Sequence, residues 1–306
     1  MTSFVRPNWV PAVEPGARIL VIGSSGGLGR ALVNMLLEGP ECTIGAHGAT
    51  NRHPSNDGRI LHLTQAFESE ADCVRLIDTF VKKAGGIDAL IVLSGGIHFS
   101  GHWQDMPEAD WERDIDVNLN HPFYLARAAM AQMKKKNNGG QILLTGTESA
   151  LHGGSALSFP YAIAKRGTEA LVQGLAREGA PHDILVNGMR FGFITSGFHE
   201  RWHEKTEDDL TERANLVPLK RGGHPDEAAA LMIYLLSGWA RFITGQMIPN
   251  ALSSEEQDSI LGTKNGRKRH GDRISVLGTG TKTGKLATSR RPQEAPAMCL
   301  PAIARP

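Results

Sequence analysis

Residues 18–29 read RILVIGSSGGLG, and this segment is the strongest indication of the fold. An apolar run leads into a glycine-rich turn, and residues 28–38 then continue with helical spacing. Gly23, Gly27 and Gly29 follow the spacing G-x-x-x-G-x-G. Glycine is needed where a backbone turns tightly or approaches a pyrophosphate, and a helix that begins there directs free N–H groups at the phosphates. The stretch therefore predicts a strand, a turn and a helix that bind a nucleotide.

The same alternation of short apolar runs and longer helical patterns continues from residue 17 to residue 250. Runs that are apolar throughout are typical of strands covered on both faces by helices. The alternation predicts an α/β fold, a single Rossmann-fold domain with a doubly wound parallel sheet. The predicted strands are 18–23, 42–46, 59–63, 89–93, 141–145, 184–189 and 246–248, and the predicted helices are 28–38, 70–83, 111–133, 161–177 and 225–236.

The composition excludes several classes of protein. The 306 residues carry 33 Lys+Arg and 32 Asp+Glu, and this net charge of +1 argues against a globally basic nucleic-acid binder. The 3 cysteines are too few for a disulfide framework or a Cys-rich metal site. The spacing of His199 and His203 is assigned to a solvated helix face, so no metal site is predicted. No apolar run approaches the roughly 20 residues that span a bilayer, and the start lacks a signal-peptide core, so we expect a cytoplasmic protein.

Residues 251–306 differ in character from the rest of the chain. They are rich in Gly, Thr, Lys, Arg and Pro, and ten basic minus five acidic side chains give a net charge of +5. Such a segment has too little apolar surface to offset the entropy of ordering. We therefore expect an N-terminal extension (1–16), a Rossmann-fold domain (17–250) and a disordered basic tail (251–306), the tail having a separate origin such as a shifted reading frame or a splice variant.

The end of the second predicted strand indicates which dinucleotide is bound. An acidic residue at this point binds the ribose 2′-hydroxyl of NAD. His47 stands there instead, and Arg52 follows it closely. Because no negative charge opposes a 2′-phosphate, the sequence favours NADP(H), with NAD(H) as the alternative.

Tyr161 and Lys165 are the candidate acid–base pair. Their i, i+4 spacing places both on one face of a helix. A nearby ammonium favours the phenolate, so we expect the tyrosine pKa to fall from about 10 toward neutral pH. The motif Y-x-x-x-K is common by chance and becomes specific because it follows the glycine-rich turn by about three βα units.

Together these motifs resemble the short-chain dehydrogenase/reductase family, in the single-domain form of the 3-oxoacyl carrier-protein reductases, over residues 17–248. The family's turn T-G-x-x-x-G-x-G matches residues 22–29, with Ile22 in place of Thr. Its active-site motif matches Tyr161 and Lys165, and its helix asparagine matches Asn118. Residues 217–227 and 242–246 resemble the family's late segment.

The resemblance implies a ketoreductase that transfers a hydride between NADP(H) and a carbonyl or secondary alcohol. Tyr161 would exchange a proton with the substrate oxygen, Lys165 would hold the nicotinamide ribose, and Asn118 would position a relay water. A hydroxyl after the fifth strand would polarise the substrate. Counting 13 residues back from Tyr161 gives Glu148, whereas the strand alignment gives Thr147, which we favour over Ser149. A homodimer or homotetramer is expected, and an NAD-dependent alcohol dehydrogenase and a catalytically silent nucleotide-binding partner protein stay open as alternatives.

The resemblance also implies a set of cofactor contacts, although three of the family's motifs are altered. The motif N-N-A-G appears as VLSG at positions 92–95, the aspartate that contacts adenine appears as His62, and P-G appears as FG at positions 191–192. Substrate specificity is expected in loops 152–160 and 197–216, with Phe198, Trp202 and His203, and in the walls His98, Phe99, Trp103 and His152. The expected cofactor contacts are Gly23, Ser24, Ser25, Gly27, Leu28, Gly29, His47, Arg52, His62, Leu63, Ser94, Gly95, Tyr161, Lys165, Gly192 and Thr195.

Overall fold

Seven parallel strands form one sheet in the computed structural model, which describes residues 12–99, 101–203 and 206–250, with only the backbone of Trp202 and His203. The strand order is β3-β2-β1-β4-β5-β6-β7, so the chain winds outward in both directions from β1 and β4. The predicted doubly wound parallel sheet is confirmed. The strands are β1 (Arg18–Ile22), β2 (Thr43–Gly48), β3 (Ile60–Thr64), β4 (Ala89–Val92), β5 (Gly140–Thr147), β6 (Ile184–Phe191) and β7 (Met247–Pro249).

Helices cover both faces of the sheet and connect successive strands, except β2 and β3, which are joined by a loop. The predicted helices are present, with most ends shifted by one or two residues. The exception is the predicted helix 111–133, which a π-helical turn at Asp116–Asn120 divides into two. The helices are α1 (Gly27–Glu38), α2 (Glu70–Ala84), α3 (Glu108–Ile115), α4 (His121–Lys136), α5 (Phe159–Gly179), α6 (Phe198–His203), α7 (Glu207–Leu216) and α8 (Pro225–Leu236).

Two hydrophobic clusters lie on opposite faces of the sheet. Along β1, Ile19 and Val21 pack toward α1 and α8, whereas Leu20 and Ile22 pack toward α2, α4 and α5. This alternation explains why the strands are apolar at every position. Phe80 of α2 packs on Gly45 of β2, where a Cβ atom would lie 2.6 Å from the ring. Burying such a ring contributes about 1.5–3 kcal/mol.

The carboxyl ends of β1, β4, β5 and β6 meet at one edge of the sheet, where the order reverses between β1 and β4. Open α/β sheets bind ligands at this point. A cavity of about 470 Å³ lies there. No helix within the described part of the chain is long and apolar enough to cross a bilayer. The described residues belong to one compact unit, and the predictions about residues 251–306 and 1–11 fall outside them.

Candidate active site

The glycine-rich turn between β1 and α1 has the backbone geometry that the sequence predicts. Gly23 has a φ of 83°, and a Cβ on it would lie 3.0 Å from the backbone nitrogen of Ser94. A Cβ on Gly29 would lie 2.3 Å from the carbonyl oxygen of Gly23. Gly26 caps α1 and has no side chain to accept hydrogen bonds from the first turn. The helix therefore presents N–H groups that an anion can bind.

The segment after β6 packs directly on this turn. A Cβ on Gly27 would lie 2.3 Å from the carbonyl oxygen of Ser196. Thr195, a predicted cofactor contact, donates from its hydroxyl to the carbonyl of Gly223 at 3.1 Å. The backbone of Ser196 therefore lies directly against the start of α1.

Tyr161 and Lys165 lie on the same face of α5 and line the cavity, as their spacing predicts. The Nζ of Lys165 is 5.8 Å from the centroid of the tyrosine ring. Phe198 of α6 contacts the same ring, with 5.9 Å between the centroids. The lysine side chain is almost fully buried.

Burial dominates the electrostatics of this pair. It raises the pKa of Tyr161 to about 12, and a hydrogen bond with the Thr147 hydroxyl opposes that rise. Burial also lowers the pKa of Lys165 to about 8. The expected lowering of the tyrosine pKa is therefore wrong for the free protein, because loss of hydration outweighs the influence of the ammonium. The phenol is protonated at neutral pH.

Thr147, at the end of β5, contacts Tyr161 through its hydroxyl. Its Oγ1 also accepts a hydrogen bond from the backbone N–H of Ser149 at 3.4 Å. Thr147 and Ser149 both line the cavity, and the hydrogen bond to Tyr161 comes from Thr147. Glu148 is buried, with its Oε1 3.4 Å from Nε of Arg190. The geometry thus supports Thr147 over Ser149, and a count of 13 residues fails because it reaches a carboxylate paired with arginine.

Asn118 lies in the π-helical turn and is fully buried. Its Nδ2 donates to the carbonyls of Gly96 and Asp114, both at 2.8 Å, and its Oδ1 accepts from the N–H of Gly96 at 3.2 Å. Its carbonyl oxygen accepts from the Thr168 hydroxyl at 3.3 Å. Both N–H donors of the side chain are thus used, and the backbone carbonyl has a second lone pair with which to hold a water.

Two further residues lie close to Lys165, and one of them, Thr145, was not singled out in the sequence. Its Nζ donates to Oγ1 of Thr145 at 3.4 Å. The alternation of β5 is the signal that could have found this residue, because Thr145 and Thr147 share one face of the strand. Gly95 was expected to approach the cofactor. In the structure a Cβ on Gly95 would lie 2.9 Å from Oδ1 of Asn118 and 3.2 Å from Nζ of Lys165.

The cavity brings together the nicotinamide half of the predicted site. The hydroxyl oxygen of Ser94 is buried there without a hydrogen-bond partner among the described residues. His98 instead binds Asp114, with 2.8 Å between Nδ1 and Oδ1. Predicted residues that line the cavity are Leu28, Ser94, Gly95, Thr147, Ser149, His152, Tyr161, Lys165, Gly192 and Phe198; those that do not are Gly23, Ser24, Ser25, Gly27, Gly29, His47, Arg52, His62, Leu63, Phe99, Trp103, Asn118 and Thr195.

His47 is buried at the end of β2 rather than open to a ligand. Its Nε2 lies 2.8 Å from the carbonyl oxygen of Gln65, and its ring stacks on Phe67 with 4.9 Å between centroids. Burial lowers its pKa, so the ring is neutral. The site nevertheless fits a dinucleotide, because the start of α1 offers N–H groups and Ser94 offers an unpartnered hydroxyl. NADP(H) preference stays a prediction.

Comparison with known proteins assigns the family. A family model described as enoyl-(acyl carrier protein) reductase matches residues 56–250. The human protein named dehydrogenase/reductase SDR family member 4 is 29% identical over 192 residues, which cover 62% of this chain and 66%, just under two thirds, of that protein. The Azotobacter vinelandii L-rhamnose 1-dehydrogenase (NAD(P)(+)) is 30% identical over 247 residues, which cover 74% of this chain and 92% of that one.

The solved structures show the same fold. The ligand-free aldohexose dehydrogenase of Thermoplasma acidophilum superposes with a TM-score of 0.69 at 22% identity, over 77% of this chain and 92% of that chain. Several relatives are named dehydrogenases, in agreement with the motifs in the turn and on α5. The chain belongs to the short-chain dehydrogenase/reductase family of oxidoreductases.

Proposed function

We propose that this protein is an NADP(H)-dependent oxidoreductase that transfers a hydride between the dinucleotide and a carbonyl or secondary alcohol. The arrangement of Thr147, Tyr161 and Lys165 around one cavity carries the proposal. The phenol contacts the threonine hydroxyl, and the ammonium lies 5.8 Å from the ring centroid. These groups lie at the sheet edge where Rossmann folds bind dinucleotides.

The bound dinucleotide supplies the hydride, and the chain supplies the proton and the stabilisation of charge. In reduction, Tyr161 donates the proton of its Oη to the carbonyl oxygen as negative charge develops there. Thr147 accepts from the N–H of Ser149, which leaves its own O–H free to be donated. That O–H stabilises either the developing oxyanion or the phenolate.

Lys165 stabilises the phenolate that remains once the proton has been transferred. Thr145 holds its Nζ from β5, and Gly95 lets the β4 loop pass close to it. Asn118 fixes this loop to the π-helical turn, and its carbonyl offers the second lone pair to a water that can return a proton to the site.

Support for NADP(H) comes from the end of β2, where a histidine replaces the carboxylate that binds the ribose of NAD. The cofactor printed for the L-rhamnose enzyme, NAD(P)(+), is compatible with either choice. The homodimer or homotetramer and the cytoplasmic location expected from the sequence stay predictions.

Oxidation of a sugar or another polyhydroxylated alcohol is the second candidate, with the same residues working in reverse. Relatives include an L-rhamnose 1-dehydrogenase and a glucose 1-dehydrogenase 2. The cavity also has a polar wall of Ser149, His152, Ser155 and Ser158. Hydroxyl and imidazole groups of this kind suit a substrate that carries several hydroxyls.

A cofactor-consumption screen tests the proposal. NADPH and NADH oxidation is followed with ketones and 3-oxoacyl thioesters, and NADP⁺ and NAD⁺ reduction with sugars. We expect turnover by wild type and by the control Tyr124→Phe, and a loss of about 10²–10⁴-fold in Tyr161→Phe. Equal turnover by wild type and Tyr161→Phe would show that this phenol is not the acid. Absence of turnover with every substrate, despite dinucleotide binding, would favour a silent binding protein.

A further inference from the structure

Three histidines lie at the β2–β3 side of the sheet, apart from the cavity that contains Tyr161, and His62 among them is half-buried. His47 and His53 are each 2% exposed. Among the described residues, Nδ1 of His47, Nε2 of His53 and both ring nitrogens of His62 are buried without a hydrogen-bond partner. Nδ1 of His53 accepts from the backbone N–H of Ser55 at 3.2 Å, and the backbones of Arg30 and Ser55 lie close to His53 and His62, respectively. Because buried polar atoms are nearly always satisfied in folded proteins, the ring nitrogens left without a well-formed hydrogen bond indicate a missing ligand.

Two of these histidines are surrounded by positive groups. His53 faces Arg30, near the start of α1, and His62 of β3. His62 faces Arg52 in the loop after β2, and the backbone of Ser55 lies beside it. Both arginines are exposed, and among the described residues no carboxylate acts on either ring. The group that this arrangement suits is an anion.

The loop after β2 holds this cluster against the glycine-rich turn. A Cβ on Gly48 would lie 2.0 Å from the carbonyl oxygen of Asn51 and 3.2 Å from Oγ of Ser25. In Rossmann folds the substituent at the 2′ position of the adenosine ribose is bound at the end of β2. Gly48 is the last residue of β2. The histidines therefore lie where a 2′-phosphate would be placed.

The free protein holds both rings neutral. Burial lowers the pKa of His53, and the charges of His62 and Arg30 lower it further. Burial likewise lowers the pKa of His62, with a contribution from Arg52. A neutral imidazole has one N–H donor, whereas an imidazolium has two. A phosphate dianion placed between the rings favours the charged form.

We propose that His53 and His62 bind the 2′-phosphate of NADP(H) together with Arg30 and Arg52, His53 through its Nε2–H and His62 as an imidazolium, so that binding takes up one proton from solution. This inference rests on the cofactor choice proposed above. It makes the preference for NADP(H) over NAD(H) a property that weakens as pH rises, whereas arginines alone would give a constant preference.

The number of protons taken up on binding determines how steeply the preference for NADPH changes with pH. One proton taken up on binding changes the dissociation constant tenfold per pH unit. The affinities are compared between pH 6.5 and pH 8.5, which lies above the second pKa of the phosphate itself, about 6. Lys165, with a pKa of about 8, titrates inside this window. It lies in the nicotinamide half that both cofactors share, so its contribution cancels in the ratio of the two dissociation constants.

Fluorescence titration of the full chain with NADPH and NADH at pH 6.5, 7.5 and 8.5 and constant ionic strength tests the inference. We expect the ratio of the NADH to the NADPH dissociation constant to fall at least fivefold, and up to tenfold, per pH unit. His62→Gln should flatten this dependence, His53→Gln should weaken NADPH binding without flattening it, and the control His182→Gln, at an exposed position, should do neither. A ratio that stays constant from pH 6.5 to 8.5 would overturn the inference.

A second measurement uses only the wild-type protein, in case the buried variants do not fold. Proton uptake is followed with an indicator dye in weak buffer at pH 7.5, where the free phosphate is already mostly dianionic. NADPH should take up close to one proton more than NADH does. If NADPH is preferred but uptake is equal and the ratio is flat, this inference alone fails. If NADPH is not preferred at any pH, the cofactor choice fails and the inference fails with it.

Discussion

Lys165→Met should stabilise the free protein while abolishing its activity. Lys165 has a pKa of about 8 in the folded state against 10.5 for the unperturbed group, because burial removes its hydration. Each unit of this difference corresponds to about 1.4 kcal/mol. Holding the ammonium in the folded protein at pH 7 therefore costs about 3 kcal/mol. Methionine fills a similar volume without this cost, and it loses the 3.4 Å hydrogen bond to Thr145 and the contact of the ammonium with the Tyr161 ring.

The stabilisation should depend on pH in a defined direction. Between pH 8 and pH 10.5 the unfolded chain binds more protons at this lysine than the folded protein does, so the stability of wild type rises with pH in that window. The advantage of Lys165→Met should thus shrink from about 3 kcal/mol at pH 7 to about 2 at pH 9 and to under 1 at pH 10.5. Tyr161, with its raised pKa of about 12, acts in the opposite direction above pH 10, but it is common to both proteins and cancels.

Urea unfolding without dinucleotide, followed by tryptophan fluorescence at each pH, measures these differences. Lys83→Met, at an exposed position in the last turn of α2, is the matched control and should change the free energy of unfolding by less than about 0.5 kcal/mol. A Lys165→Met protein that is less stable than wild type at pH 7, or whose advantage is the same at every pH, would refute the reasoning.

Three other outcomes follow from the site and the core. Thr147→Val should lower kcat by about 10²-fold or more, because a hydroxyl at position 147 contacts the phenol. Thr147→Ser should stay within about tenfold of wild type, and Ser149→Ala should change kcat little. A larger loss of kcat in Ser149→Ala, measured by steady-state kinetics, would reverse the assignment. Gly27→Ala should weaken NADPH binding at least tenfold in a fluorescence titration, because its Cβ would lie 2.3 Å from the carbonyl oxygen of Ser196. Unchanged affinity would contradict this and show that the backbone at Ser196 shifts at little cost. Burial raises the pKa of Cys73 to about 12 and raises that of Cys42, so neither thiol should react with iodoacetamide at pH 8. Mass spectrometry should find both cysteines alkylated only in denaturant, and labelling of either in the native protein would contradict this.

Local rules predicted the parts of the site that lie within one element. The spacing of Gly23, Gly27 and Gly29 determines a turn, and the spacing of Tyr161 and Lys165 determines a shared helix face. The π-helical turn is different, because it coincides with hydrogen bonds that Asn118 makes to Gly96 in a loop 22 residues earlier in the chain. Periodicity within a single helix contains no information about such a partner, so residues 111–133 read as one continuous helix.

The tyrosine pKa could not be read from the sequence for a related reason. The i, i+4 spacing correctly places an ammonium beside the phenol, but whether that ammonium or the loss of water dominates depends on what else covers the pair. Phe198 and Thr147 come from elements that are distant along the chain, and they enclose the phenol. The spacing of two residues on a helix predicts how close their charges lie, whereas the loss of hydration depends on the packing of the whole fold.

The two pKa changes at the active site have one origin and one consequence. Burial favours the neutral form of each group, so it raises the pKa of the acid Tyr161 and lowers that of the base Lys165. At neutral pH the free protein therefore holds a protonated phenol beside a lysine that is still mostly charged. A protonated phenol can donate to a carbonyl oxygen at once, whereas removal of a proton from an alcohol requires a phenolate that burial disfavours by about 3 kcal/mol for a difference of about 2 in pKa. In the reaction proposed above, the free protein thus holds the phenol in the protonation state that carbonyl reduction uses. For the proposed oxidative direction, a further positive charge close to the phenol would lower the pKa of Tyr161 and favour the phenolate, as the ammonium of Lys165 does from its side of the ring.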